Sequence, residues 1–248
     1  MAEAGARLTD ADKSVSSRLV EHLQKTPIQG DELLRNLPLF TNRINRADEL
    51  FMIELYKKSM EVHGCIAEFG VRWGRNLALL MSLRDALEPF NHTRKIYGFD
   101  TFEGFPGVDK KDGEDVGVTE GGHSVEKGYE FILADILDCH DKQSAIPHIS
   151  SYELVVGDVT KSFDTWLQKN PHVIFSLVYF DMDLYVPTKH VLDRIKQRLV
   201  KGSVVGFDEV GASRFPGETQ ALIDSIGLNR IRLRRVPYSA ATSYFIYE

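Results

Sequence analysis

The chain has 248 residues, 43% of them hydrophobic and 27% charged, with a formal net charge of −6. That size suits one large domain, or one domain with an appended arm, and the balance is ordinary for a globular protein. The acidic charge argues against a nucleic-acid partner, no apolar run approaches the roughly 18 residues of a membrane span, and two cysteines, Cys65 and Cys139, make no disulfide framework.

Residues 1–12 lack a basic start followed by an apolar core, so no signal peptide is read there and a cytoplasmic protein is expected. Residues 1–30 are polar and weakly patterned: part reads as a mobile tail, and Ser14 to Leu23 as a short helix. After the proline-broken patch Leu33 to Phe40, Asp48 reads as the N-cap of a helix whose buried stripe is Phe51, Met52, Leu55 and Tyr56. Residues 1–63 thus read as a tail and helical arm, able to cover a site, meet a second subunit or both, preceding a sheet domain over residues 64–248.

From residue 64 strands and helices alternate. Strands are predicted over 65–71, 95–100, 153–158, 173–181 and 203–208, and helices over 77–87, 129–139, 163–169, 187–200 and 217–226. The strands are continuous apolar runs, as in a parallel sheet buried on both faces, and the alternation implies right-handed crossovers and a doubly wound α/β sheet. The segment 104–127 is longer than most structureless loops, which favours a functional lid. Residues 230–236 and 242–247 read as a closing hairpin, one strand of which must run antiparallel to the rest.

Four strands end on an acid: Asp100, Asp158, Asp181 and Asp208. A fifth carries Glu68 two residues before Gly70. Ligands of such sheets sit outside the carboxyl ends of the strands, so these acids share the rim where chemistry belongs. Gly70 and Gly74, in Glu68-Phe69-Gly70-Val71-Arg72-Trp73-Gly74, let backbone approach a ligand. The dinucleotide fingerprint is absent, because Arg72 stands where its second glycine would lie. Asp100 suits the two hydroxyls of a ribose, and Asp158 an adenine amino group. Singly, each acid reads equally as a turn or helix cap.

As an ordered set, Glu68, Gly70, Gly74, Asp100 and Asp158 followed by a terminal hairpin resemble the class I S-adenosylmethionine-dependent methyltransferases. The resemblance implies a Rossmann-like seven-stranded mixed sheet, order 3-2-1-4-5-7-6 with strand 7 antiparallel. It also implies a donor site of Glu68, Gly70, Arg72, Gly74, Asp100, Thr101, Phe102, Asp158 and Asp181.

Strands four and five are neighbours in such a sheet, so Asp181, Asp183, Asp208 and Glu209 should converge. Carboxylates this close repel unless a cation or proton intervenes, and Mg²⁺ suits such oxygen ligands. Asp181, Asp208 and Glu209 are the metal candidates, and Asp181, Asp183 and His123 the catalytic ones. The blander readings are Asp183 as cap of the helix near Pro187 and His123 as a solvent-exposed lid residue. Arg43 and Arg46 read as phosphate contacts or as helix-surface ion pairs; Arg230, Arg232, Arg234 and Arg235 read as a solvated hairpin edge.

Phe99-Asp100-Thr101-Phe102-Glu103-Gly104-Phe105-Pro106, Asp181-Met182-Asp183-Leu184-Tyr185 and Asp208-Glu209 resemble the macrocin O-methyltransferase group. Glu68 to Arg75 and Leu37 to Arg43 are closer still to its rhamnosyl-methylating branch in calicheamicin biosynthesis. The resemblance implies a Mg²⁺-assisted transfer to a sugar hydroxyl and a homo-oligomer. Glu209 departs from the aspartate usual in that group. The rival readings are an N- or phenol O-methyltransferase on the same scaffold, a nicotinamide oxidoreductase, and a non-catalytic interaction module.

Overall fold

The computed structural model describes residues 10–115 and 117–248; the part of the expected tail over residues 1–9, and Val116 of the lid, lie outside them. Three helices come first: α1 (Asp10–Lys25), α2 (Asp31–Asn36) and α3 (Arg43–Ser59). Then follow β1 (Cys65–Phe69), α4 (Arg75–Leu87), β2 (Ile96–Asp100), α5 (Tyr129–Gln143), β3 (Tyr152–Val156), α6 (Val159–Lys169) and β4 (Phe175–Phe180). The chain closes with α7 (Tyr185–Ile195), β5 (Leu199–Phe207), α8 (Gly217–Ser225), β6 (Arg234–Arg235) and β7 (Ser243–Ile246).

The sheet order is β3-β2-β1-β4-β5-β7-β6, with β7 antiparallel to both its neighbours and the other pairs parallel. This is the expected sheet. Side chains alternate between its faces, so each face has its own core. Phe51, Met52, Leu55 and Tyr56 of α3, with Leu77 and Leu80 of α4 and Leu133 of α5, bury Ile66, Ile96, Leu177 and Val204. On the other face Phe163 and Trp166 of α6, Val191 and Leu192 of α7 and Leu222 of α8 bury Phe69, Phe99, Phe180 and Phe207.

Those four phenylalanines align the site. Phe69 is in register with Phe99 and Phe180, and Phe180 with Phe207. Their rings stack in a row across β2, β1, β4 and β5 at 4.6, 5.5 and 5.1 Å between centroids. The next residue on each strand, Gly70, Asp100, Asp181 and Asp208, therefore reaches the rim at the same level. Gly70 is confined there: its φ is +94°, and a Cβ would lie 1.8 Å from the Asp181 carbonyl oxygen. Among the described residues no helix is long and apolar enough to cross a membrane.

Several local expectations are corrected. The N-cap of α3 is Asn42, whose side chain accepts the Ile44 and Asn45 amides, and not Asp48, which lies inside the helix. The helix expected over 14–23 extends over Asp10–Lys25. The first strand ends at Phe69 because Gly70 turns away. Most of the first hairpin arm is not strand: Leu228–Arg230 is a single 3-10 turn and only Arg234–Arg235 pair with β7.

Candidate functional site

A cavity of about 890 Å³ opens at the rim between β1 and β4, within the size range of small-molecule sites. Gly70, Asp100, Gly157, Asp181 and Asp208 at the strand ends line it, with Arg72, Trp73 and Asn76 after β1 and Phe105 and His123 of the lid. Lys13, Ser16, Ser17 and Val20 of α1 also line it, so α1 lies along the cavity. It is tied down by Arg43 to Asp12 at 3.1 Å and by Asn42 Nδ2 donating to Ser16 Oγ at 3.3 Å. Nothing in the polar pattern of residues 1–30 signals that placement.

At the β1–β2 end, Asp100 organises the backbone. Its Oδ2 accepts the Arg72 amide at 2.7 Å and its Oδ1 the Phe102 amide at 2.6 Å. Thr101 lines the cavity and donates its hydroxyl to the Gly104 carbonyl at 2.7 Å. Phe102 is buried, so its contribution here is the backbone amide. Glu68 and Gly74 do not line the cavity. Glu68 is buried, accepts from Asn76 Nδ2 at 2.8 Å, and is pushed up to about 8 by burial. A Cβ on Gly74 would meet Leu133 at 2.2 Å, so that glycine serves helix packing. Asp158 is the N-cap of α6: its Oδ1 accepts from the Thr160 amide at 2.9 Å and hydroxyl at 2.7 Å. It still lines the cavity.

At the β4–β5 end the acids converge. The Asp181 carboxyl is pushed well above the usual carboxylate range by burial, then by Asp208 and Asp183. Asp183 is pushed up to about 7 by burial and then by Asp208, and Asp208 to about 6, chiefly by burial. The Tyr179 hydroxyl donates to Asp208 Oδ1 at 3.1 Å. Glu209 is 2% exposed and lines the same cavity. Among the described residues no three His, Cys, Asp or Glu side chains are gathered into a metal-holding group.

Asp183 is not a helix cap: α7 starts after Leu184 and has no side-chain cap. Instead Asp183 Oδ2 lies 3.4 Å from His123 Nδ1. His123 is therefore a cavity residue rather than a solvated one. It leans on Phe105 with centroids 4.9 Å apart, and burial followed by the charges of Arg72 and Arg214 lowers it to about 4. The non-glycine residues with positive φ among those described are Arg72, Phe102, His123 and Asp183. All four belong to this site; left-handed backbone at such residues is costly and clusters where function requires it.

The lid is anchored to the far side of the rim. Asp112 Oδ1 accepts the Tyr185 amide at 2.5 Å, Asp115 meets Arg214 at 2.9 Å and Lys111 meets Asp224 at 2.6 Å. Arg46 pairs with Glu49 at 2.5 Å and, like Arg43, lies outside the cavity, which favours the ion-pair reading of both. Tyr185 donates to Asp224 at 2.8 Å, away from the cavity, whereas Trp73 lines it and packs on Tyr129. Arg75, which meets Asp48 at 3.3 Å, is a cavity residue that the sequence motif contains without marking.

No protein-family model matches the chain, and no curated protein sequence matches it. Solved structures do. The crystal structure of CalS11, calicheamicin methyltransferase, is 39% identical over 98% of this chain and 95% of its own, with a TM-score of 0.95. The apo structure of CalS11, described as the TDP-rhamnose 3'-O-methyltransferase of calicheamicin biosynthesis, is 37% identical over 98% and 97%, with a TM-score of 0.86. The O-methyltransferase NovP is 15% identical over 82% and 81%, with a TM-score of 0.61, a likeness of fold alone.

Proposed function

Because this chain belongs to the class I O-methyltransferase family that includes CalS11, we propose that it transfers the methyl group of S-adenosyl-L-methionine to a sugar hydroxyl, with Mg²⁺ assisting. The sugar is carried by a nucleotide sugar or a glycosylated natural product. TDP-rhamnose, the substrate in the relative's description, is the first acceptor to try.

The observation that carries this reading is the shared level of Gly70 and Asp100 with Asp181 and Asp208 along one cavity. The Gly70–Asp100 end suits the donor. A carboxylate oxygen has two lone pairs, so Asp100 can hold its two backbone amides and still accept from a ribose. Gly157 leaves open space where a Cβ would be, beside the adenine end. When bound, the donor supplies a methyl already activated as a sulfonium. The protein's share is orientation, deprotonation and exclusion of water.

At the other end, Asp181, Asp208 and Glu209 line the cavity as oxygen donors of the kind Mg²⁺ takes, although the three are not gathered into a metal-holding group. After burial, Asp208 and Asp183 raise the Asp181 carboxyl, a frustration that a hard divalent cation held by Asp181 and Asp208 would relieve. Bound there, Mg²⁺ would lower the pKa of a coordinated hydroxyl. Asp183, with His123 at its side, takes the hydroxyl proton. Arg72 lines the same cavity, and its charge opposes the rise of the Asp183 carboxyl. The lid and α1 exclude water.

Incubation with methyl-labelled donor, Mg²⁺ and TDP-rhamnose tests the reading. Label in a sugar methyl ether supports it; donor binding without transfer to any of a panel of nucleotide sugars counts against the acceptor class.

A further inference from the structure

Glu218 stands in the first turn of α8 and none of its surface reaches solvent. Its Oε1 accepts the Met182 amide at 3.1 Å, and its Oε2 is buried with no hydrogen-bond partner. Met182 is the centre of Asp181-Met182-Asp183, the segment that carries two of the rim acids. That segment is a tight turn: Leu184 donates its amide to the Met182 carbonyl at 2.6 Å, and Asp183 has φ +61°. A non-glycine residue in that conformation is strained and persists only when its surroundings enforce it.

The enforcement comes largely from α8. Gly217 packs so closely that a Cβ would lie 2.5 Å from the Asp183 carbonyl oxygen and 2.6 Å from the Tyr185 nitrogen. Glu218, the next residue, reaches past it to the Met182 amide. From the other side Asp112 of the lid accepts the Tyr185 amide. The turn is therefore gripped between a helix and the lid, and Glu218 holds the amide that lies between the two rim acids.

We propose that Glu218 is a positioning residue: by accepting the Met182 amide it holds the turn that aims Asp181 and Asp183 at the acceptor. The proposal rests on the methyl-transfer reading for its consequence, but its structural half stands alone. Burial, followed by Asp183 and Asp208, pushes this carboxyl well above its usual range. Glutamine keeps an acceptor oxygen on a side chain of the same length. Alanine removes the acceptor and leaves a buried N–H without a partner.

The test compares Glu218→Ala and Glu218→Gln by hydrogen–deuterium exchange at the Met182 amide and by steady-state kinetics. In Glu218→Ala the amide should exchange about tenfold faster, the factor set by one lost hydrogen bond. Its kcat should fall on the order of 100-fold, as displaced catalytic groups predict, while the KM for the donor changes little. Glu218→Gln should keep slow exchange and most of kcat. The proposal is overturned if Glu218→Ala retains native exchange and kcat, or if Glu218→Gln loses as much as alanine; the glutamine variant decides alone should alanine fail to fold. Absence of transfer by the unaltered protein would remove the functional reading, and the exchange arm would still decide whether Glu218 holds the turn.

Discussion

His123 Nδ1 and Asp183 Oδ2 lie 3.4 Å apart across the lid–rim boundary, and both residues hold left-handed backbone, φ +62° and +61°. Burial moves the two groups in opposite directions, the imidazole down to about 4 and the carboxyl up to about 7. A neutral imidazole beside an acid that titrates near neutrality forms a competent proton acceptor. Asp183→Asn should lower kcat by about 10²- to 10⁴-fold, the usual contribution of a general base, with S-adenosylhomocysteine affinity unchanged. His123→Ala should lower kcat less. Steady-state kinetics with parallel calorimetry measures both; unaltered kcat in Asp183→Asn would remove it from proton transfer.

Metal removal separates the two roles of the rim. Enzyme stripped with EDTA should bind donor normally and lose turnover, and added Mg²⁺ should restore it. Asp181→Ala combined with Asp208→Ala should abolish Mn²⁺ binding measured by electron paramagnetic resonance. Full turnover after stripping would show that the acids act without a metal.

Glu68 should make stability fall as pH rises. Its folded pKa of about 8 lies above the unfolded value of 4.5, so between the two the folded state holds the extra proton. The stabilisation is complete below 4.5 and is lost as pH climbs through 8, a change of roughly 3–6 kcal/mol for this one group. Glu68→Gln keeps the acceptor for Asn76 and removes the titration. Urea unfolding from pH 5 to 9 should give a difference curve between the two proteins that falls from the acid end up to the folded value of about 8 and levels off above it. Parallel curves would show Glu68 ionised in the fold.

Gly70→Ala places a methyl 1.8 Å from the Asp181 carbonyl oxygen at a position with φ +94°. Backbone cannot yield as a flexible side chain can. The expected loss exceeds about 3 kcal/mol and includes donor binding, because β1 and β4 must separate. Gly157→Ala meets open space but a φ of +129°, so thermal unfolding should show a smaller loss. Equal losses would mean that conformation rather than close approach governs both.

The sheet was legible because apolar runs ending in acids are a direct imprint of buried parallel strands. Phe99-Asp100, Phe180-Asp181 and Phe207-Asp208 each hold both the stacking ring and the rim acid, so the sequence reveals the level at which chemistry sits. What escaped depends on long-range packing. Asp48 and Asn42 are both competent caps, and only the length of α3 chooses between them. Glu218 reads as an ordinary first-turn acid until α8 docks on the 181–183 turn. His123 looked solvated because the Gly121-Gly122 bend that carries it inward is closed by backbone bonds, Phe105 to Gly122 and Gly121 to Phe105, each 2.9 Å. Asp158 shows the converse: an acid with a sound reading at the rim that is occupied as a helix cap.

Titration of S-adenosylhomocysteine into the unaltered protein, Asp100→Ala and Asp208→Ala, with turnover measured on the same samples, reaches the core of the account. The two ends of the cavity should divide: Asp100→Ala loses the ligand, whereas Asp208→Ala binds it as the unaltered protein does and transfers no methyl. Equal binding by all three, or normal turnover in Asp208→Ala, would contradict a cavity with a donor end and a chemical end.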